Sequence, residues 1–265
     1  MDARKPVLAH ATGLTDDEAT SFSHAVALAA ASGARLVSVH ANGGAAARER
    51  MPRAGTLTER WGGASVEHEL LVHDCCDDVT DTLLDALRRV KPDLVVAATH
   101  ARKGLASLFS GSVAEALARN VGVPTLVLPI GGRGFVDEAT GELDLRRVLV
   151  PAGDAVAARE GLRAAAFLAE LAGLEKMKVV LLHVDDGTPI PELSDLDPRL
   201  DIERATERGP VDEAITKASS ERETCAIVMA TRGHDGVMDV LTGSHTEHVL
   251  REVRCPLISV PIESA

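Results

Sequence analysis

Aromatic side chains are almost missing from this sequence: 2% of 265 residues, with no tyrosine and Trp61 as the lone tryptophan. A protein that grips single-stranded nucleic acid by stacking bases on aromatic platforms needs more than that. Surplus positive charge is missing as well. With 28 Lys and Arg against 40 Asp and Glu, the net charge is −12, the wrong sign for a binder of phosphate backbones. Four cysteines without framework spacing argue against a disulfide scaffold and for a reducing, cytoplasmic setting. No apolar run is long enough to span a membrane, and the N-terminus leads straight into an apolar strand with no signal-peptide pattern. The remaining composition, 45% hydrophobic and 26% charged, is that of an ordinary globular chain. Its length fits two domains of about 130 residues, each large enough for a core.

What the chain does have is a repeat. Displaced by 132 residues, the stretch from Leu94 to Pro129 falls on that from Ala226 to Pro261 without a gap, with eleven identities. Among them are Val96/Val228, Thr99/Thr231, Gly111/Gly243, Ser112/Ser244, Glu115/Glu247 and Pro124/Pro256. Composition alone gives roughly two or three matches in such a window.

Each half alternates apolar strands with helices, the pattern of a parallel sheet covered on both faces. In the first half, strands are expected at residues 6–11, 35–41, 66–72, 93–99 and 124–129, and helices at 15–31, 79–90 and 112–120. The second half repeats this, with strands at 147–152, 178–184, 200–205, 226–231 and 256–261 and helices at 155–172, 211–219 and 244–252. Residues 131–142, rich in glycine and acids, read as a linker. The domains are therefore placed at 1–130 and 145–265, with 131–144 between them. The halves differ most after their second strand, where residues 185–198, with three prolines, are expected to form an ordered loop beside the carboxyl ends of the strands.

The strongest chemical signal follows the fourth strand of the second half: Ala230-Thr231-Arg232-Gly233, nine residues, then Gly243-Ser244-His245. A strand that empties into a small-residue turn and a helix N-terminus suits phosphate. Glycine lets the backbone approach, free N–H groups face the ligand, and the helix dipole favours negative charge. Taken alone, Gly243 and Ser244 also read as a plain helix cap.

The spacing Ala230-x2-Gly233-x9-Gly243-Ser244, its counterpart Ala98-x2-Ala101-x9-Gly111-Ser112, and the flanking Ser112-Val113-Ala114-Glu115 and Val123-Pro124-Thr125-Leu126-Val127 resemble the universal stress protein family. The resemblance extends over both halves and identifies the chain as a tandem member. It implies two Rossmann-like α/β domains of the adenine nucleotide alpha hydrolase-like kind, each a five-stranded parallel sheet of order 3-2-1-4-5 flanked by helices. It also implies ATP or AMP as candidate ligands, with Mg²⁺ accompanying ATP, although some members bind no nucleotide. The family's strand-one Asp is replaced by Thr12-Gly13 in the first half and by Gly153 in the second. Asp154, one residue on, either takes its place or caps the next helix, and the cap is preferred. By the same resemblance adenine would lie near His183 and Val184, ribose beside Gly153 and Asp154, and phosphates across Gly233 and the amides of Gly243, Ser244 and His245, with Ala230 and Thr231 also at the site. The first half, with alanine at 98 and 101, is expected to be degenerate. Family members dimerise through strand five, so the segments from Pro124 to Pro129 and from Pro256 to Pro261 are expected to pair as an internal pseudo-dimer; a homodimer would use other surfaces.

Other clusters carry less. His73-Asp74-Cys75-Cys76-Asp77-Asp78 lacks a second ligand group and reads as a solvated helix start. Cys225 and Cys255 fit small buried positions. His245 and His248 lack metalloprotease spacing. The expected role is a stress-linked nucleotide-binding or signalling module without turnover chemistry. Two alternatives stand beside it: a pseudo-dimer that binds partners and no nucleotide, and a weak Mg²⁺-dependent ATP hydrolase.

Overall fold

Short apolar runs with little alternation are stable as strands only where both sheet faces are covered, and that is how this chain places them. The computed structural model describes residues 4–73, 78–99, 113–185, 187–232, 249 and 252–262. The first half contributes β1 (Val7–Ala11), β2 (Arg35–Ala41), β3 (His68–His73), β4 (Leu94–Thr99) and β5 (Thr125–Pro129). The second contributes β6 (Arg147–Pro151), β7 (Met177–Val184), β8 (Leu200–Glu207), β9 (Ala226–Arg232) and β10 (Leu257–Ile262). All ten form one sheet in the order β3-β2-β1-β4-β5-β10-β9-β6-β7-β8. Each half thus has the expected order 3-2-1-4-5, outward to inward.

Helices cover the sheet on both sides. One core holds Phe22, Val26 and Leu28 of α1 (Ala19–Ser32) together with Leu162 and Leu168 of α6 (Ala155–Leu171). The other holds Leu83 and Leu87 of α4 (Val79–Val90), Leu117 of α5 (Val113–Asn120) and Ile215 of α7 (Val211–Glu221). Helix α1 stops at Gly33, whose φ of +67° is the left-handed cap that a side chain would strain.

The halves meet through β5 and β10, which pair antiparallel at Leu257↔Val127, Ile258↔Leu126 and Ser259↔Thr125. This is the pairing expected of an internal pseudo-dimer. Because the junction is antiparallel and everything outward of it parallel, the strands of the two halves point their carboxyl ends in opposite directions. Ligand crevices at those ends therefore lie on opposite edges of the sheet.

Two features depart from the sequence reading. Between β2 and β3 the first half carries α2 (Gly44–Arg50) and α3 (Ala54–Trp61), for which no helix was expected. Residues 131–144, read as a linker, are packed rather than loose. Phe135 is 2% exposed, and its N–H donates to His24 Nε2 at 2.9 Å. Trp61 Nε1 donates to Glu138 O at 3.1 Å, and Val136 bridges Leu143. In the second half, residues 185 and 187–198 form no helix or strand, as expected.

Candidate functional site

The two halves differ where strands one and four of each sheet part company. In the first half, β1 and β4 stay paired from Leu8↔Leu94 to Ala11↔Ala97. In the second, the β6–β9 ladder ends after Val148↔Ala226 and Leu149↔Ile227, although β6 goes on pairing with β7 as far as Pro151↔Leu182. Pro151 explains the difference. Ala152 N–H donates to Leu182 O at 2.7 Å, so the preceding peptide nitrogen faces β9, and in proline it carries no hydrogen. At the matching position Ala11 has its N–H, and its ladder to β4 closes. The β6–β9 ladder therefore stops short of the carboxyl ends of both strands.

The backbone just beyond these strands differs in the same sense. In the first half the Glu18 carboxylate sits on the end of β1, accepting from Thr12 Oγ1 at 2.6 Å and from Gly13 N at 2.9 Å. A carboxylate thus already accepts from the amide that corresponds to Gly153 in the second half. In the second half a Cβ built on Gly153 meets none of the described residues within 4 Å. Asp154 caps α6, its Oδ1 accepting from the N–H groups of Val156 and Ala157, both at 2.8 Å. This is the helix-cap role preferred from sequence.

A histidine ties strand two to strand one in both halves. His40 Nδ1 donates to Thr12 O at 2.7 Å, and His183 Nδ1 lies 3.1 Å from Ala152 O. His183 Nε2 lies 2.9 Å from Thr188 O, which fastens the loop after β7 to the same point. Val184 ends β7 beside this anchor, half-buried. In the same loop, the Gly187 N–H and then Arg208 hold the Asp185 carboxyl below its ordinary range. Ala230 and Thr231 lie half-buried near the end of β9, with Thr231 Oγ1 3.2 Å from Ser259 Oγ. The structure therefore gathers Gly153, Asp154, Val184, Ala230 and Thr231 at one edge. Gly233, Gly243, Ser244 and His245 lie outside the described residues, as do Gly111, Ser112, Cys75 and Cys76.

The spacing that led to this site is matched by a family model, that of the universal stress protein family, over residues 5–129 and 197–261, well over half of the chain. The chain belongs to the universal stress protein family. The second match begins after β7, so Gly153, Asp154 and Val184 of this universal stress protein lie outside it. Among solved structures, a universal stress protein from Archaeoglobus fulgidus DSM 4304 is similar at 16% identity and a TM-score of 0.63, covering 98% of this chain and 99% of that one. A protein of unknown function from Pseudomonas aeruginosa PAO1 is similar at 16% identity and a TM-score of 0.61, covering 97% and 93%. A universal stress protein solved in complex with cAMP matches 48% of this chain and 99% of its own at 22% identity, with a TM-score of 0.40. No curated protein matches the chain.

Pro151 is the residue whose effect sequence reading missed. The sequence puts it in strand one, but that its missing donor would face β9 follows only from the neighbouring hydrogen bonds. Among the described residues, no group of three or more His, Cys, Asp or Glu side chains is placed to hold a metal ion. Among them also, no helix is long and apolar enough to cross a membrane. Cys255 is buried, and that burial pushes its thiol pKa up.

Proposed function

We propose that this universal stress protein binds an adenine nucleotide, ATP or AMP, at the carboxyl ends of β6 and β9 and acts through it as a stress-linked signalling module. The observation that carries this reading is the β6–β9 ladder ending at Leu149↔Ile227 while its first-half counterpart closes. Adenine would lie against the backbone at Val184, ribose beside Gly153 and Asp154, and phosphates along Ala230, Thr231 and Gly233 to the amides of Gly243, Ser244 and His245. Mg²⁺ would accompany ATP, with Asp154 the candidate acid to hold it. The first half is the poorer host because the Glu18 carboxylate already holds the Gly13 amide.

Mass spectrometry of freshly purified, denatured protein tests this by looking for released ATP or AMP, alongside thermal shifts on adding ATP and Mg²⁺. A Cβ at Gly153 meets none of the described residues and its φ is not left-handed, so Gly153→Leu should leave the melting of the free protein as before while the nucleotide-induced shift disappears. Gly243→Val should also abolish that shift, and Gly111→Val should leave it. No released nucleotide and no shift in the parent protein would overturn the proposal, leaving the partner-binding pseudo-dimer.

A further inference from the structure

A separate cavity of about 650 Å³ lies in the first half, on the α1 side of the sheet beside the end of β1, and its size is that of a small-molecule site. Because the halves run in opposite directions, it sits at the other edge of the sheet from the nucleotide site proposed above. The α2–α3 corner forms one wall and the start of α1 the other.

Arg50, Arg53 and Arg60 line the cavity. Arg50 spends one N–H on Leu14 O at 2.9 Å, and Arg60 one on Glu138 O; both acceptors are neutral carbonyls. Among the described residues, none of the three arginines forms an ion pair with a carboxylate. The acids in the lining are placed differently. Glu18 serves Thr12 and Gly13, Glu138 accepts from Thr20 Oγ1 at 2.6 Å, and Asp16 is exposed. Phe22, Met51 and Leu57 add apolar surface to the lining.

His10 also lines the cavity and is 1% exposed. Ser21 Oγ donates to Glu18 O at 2.8 Å, so its contact with His10 Nε2 at 3.1 Å is one in which the imidazole N–H donates. His10 Nδ1 is then an acceptor, and it is buried without a partner among the described residues. Burial, and then the nearby His68, lower its pKa to about 3, which keeps that lone pair unprotonated at neutral pH. A buried acceptor left unpaired is costly and favours a ligand that brings a donor.

We infer that this cavity binds a small organic anion whose carboxylate meets Arg53 with Arg50 and Arg60, whose apolar body lies against Phe22, Met51 and Leu57, and whose far end donates a hydrogen bond to His10 Nδ1. The site does not depend on nucleotide binding in the other half.

The chain carries its own reporter. Trp61 is its only tryptophan, and the indole N–H is bonded to the carbonyl of Glu138, a residue of the lining. Titrating the full chain with 4-hydroxyphenylacetate should change Trp61 fluorescence saturably. Phenylacetate, which lacks the donor, and 4-hydroxyphenethyl alcohol, which lacks the charge, should each bind about tenfold more weakly, the worth of one charge-assisted or buried hydrogen bond. Arg53→Glu changes an exposed residue, so it should fold normally, weaken the acids by about tenfold or more and leave the neutral alcohol unaffected. His10→Phe should reduce 4-hydroxyphenylacetate to the affinity of phenylacetate. Gly243→Val should change none of these titrations. No saturable response in the parent protein, equal affinity for acid and alcohol, or indifference to Arg53→Glu would overturn the inference.

Discussion

Three histidines of the first half are held as neutral rings, and each shows it through its partners. His24 Nδ1 donates to Thr20 O at 2.7 Å while its Nε2 accepts from the Phe135 N–H. His68 Nδ1 accepts from the Ala54 N–H at 3.1 Å, and its Nε2 faces Ser38 Oγ at 2.8 Å. Burial lowers the pKa to about 3 at His10 and about 4 at His24 and His68, with His68 and Arg53 adding to the effect at His10 and His68 respectively. A folded-state pKa below the unfolded value means that the unfolded chain binds more protons. Stability from these rings is therefore fully present above about pH 6.5, the ordinary histidine value, and is lost as pH falls toward 4 and 3. His10 and His24 should each steepen the loss by about 1.4 kcal/mol per pH unit in that window. Urea unfolding between pH 7 and pH 4 measures it, and His24→Gln should flatten the dependence. The sequence held a hint of this, since His10 is the one polar residue in the five of β1. The glycines of residues 131–142 were visible but carried a different meaning. A Cβ at Gly134 would stand 2.3 Å from the His24 ring, and one at Gly141 2.5 Å from the Trp61 ring. Gly134 and Gly141 are glycines because neighbours press on them, not because the segment is slack.

At the scale of elements, legibility followed burial. Strands β2 and β4 and helix α4 are continuous or cleanly amphipathic patterns, and their expected ranges agree with the observed ones to within a residue. Helices α2 and α3 were missed because they are short and thinly anchored. Only Ala47 in the first and Ala54 and Thr58 in the second are buried, and the intervening Met51-Pro52 interrupts any periodic signal. The cavity they enclose was accordingly invisible. Capping was legible: Asp154 stands one residue before an alanine-rich run and accepts from two amides of α6. Replacing Asp154 with Ala should cost about 1 kcal/mol of stability, whereas Asn, itself a good N-cap, should cost little. Chemical denaturation of the two variants checks this. The Asn variant also separates capping from chemistry at the proposed nucleotide site. If it retains stability but loses the Mg²⁺-dependent part of any ATP-induced shift, Asp154 contributes its charge there.

For the whole molecule, duplication supplied each half's topology, and the junction followed from the strand that each half would otherwise leave bare. An unpaired apolar β5 or β10 would invite association with other chains, and pairing the two removes both edges together. The cost is that neither half keeps a core of its own. Leu126 and Ile258 are register partners across the junction and belong to a single apolar cluster with Phe22 and Val26 of α1 and Leu162 and Leu168 of α6. Ser259 Oγ also donates to Ala118 O at 3.3 Å, from the second half to the first. Cores continuous across a junction should unfold together, so calorimetry should show one transition rather than two. Leu126→Ala removes a fully buried side chain and should cost about 2–5 kcal/mol. That single transition should fall by roughly 5–15 °C for a chain of this size. Ile258→Ala, on the other side of the junction, should move the same transition by a comparable amount. Two resolved transitions, with each variant shifting only the one that belongs to its own half, would instead mean that the continuous sheet joins two independently stable units.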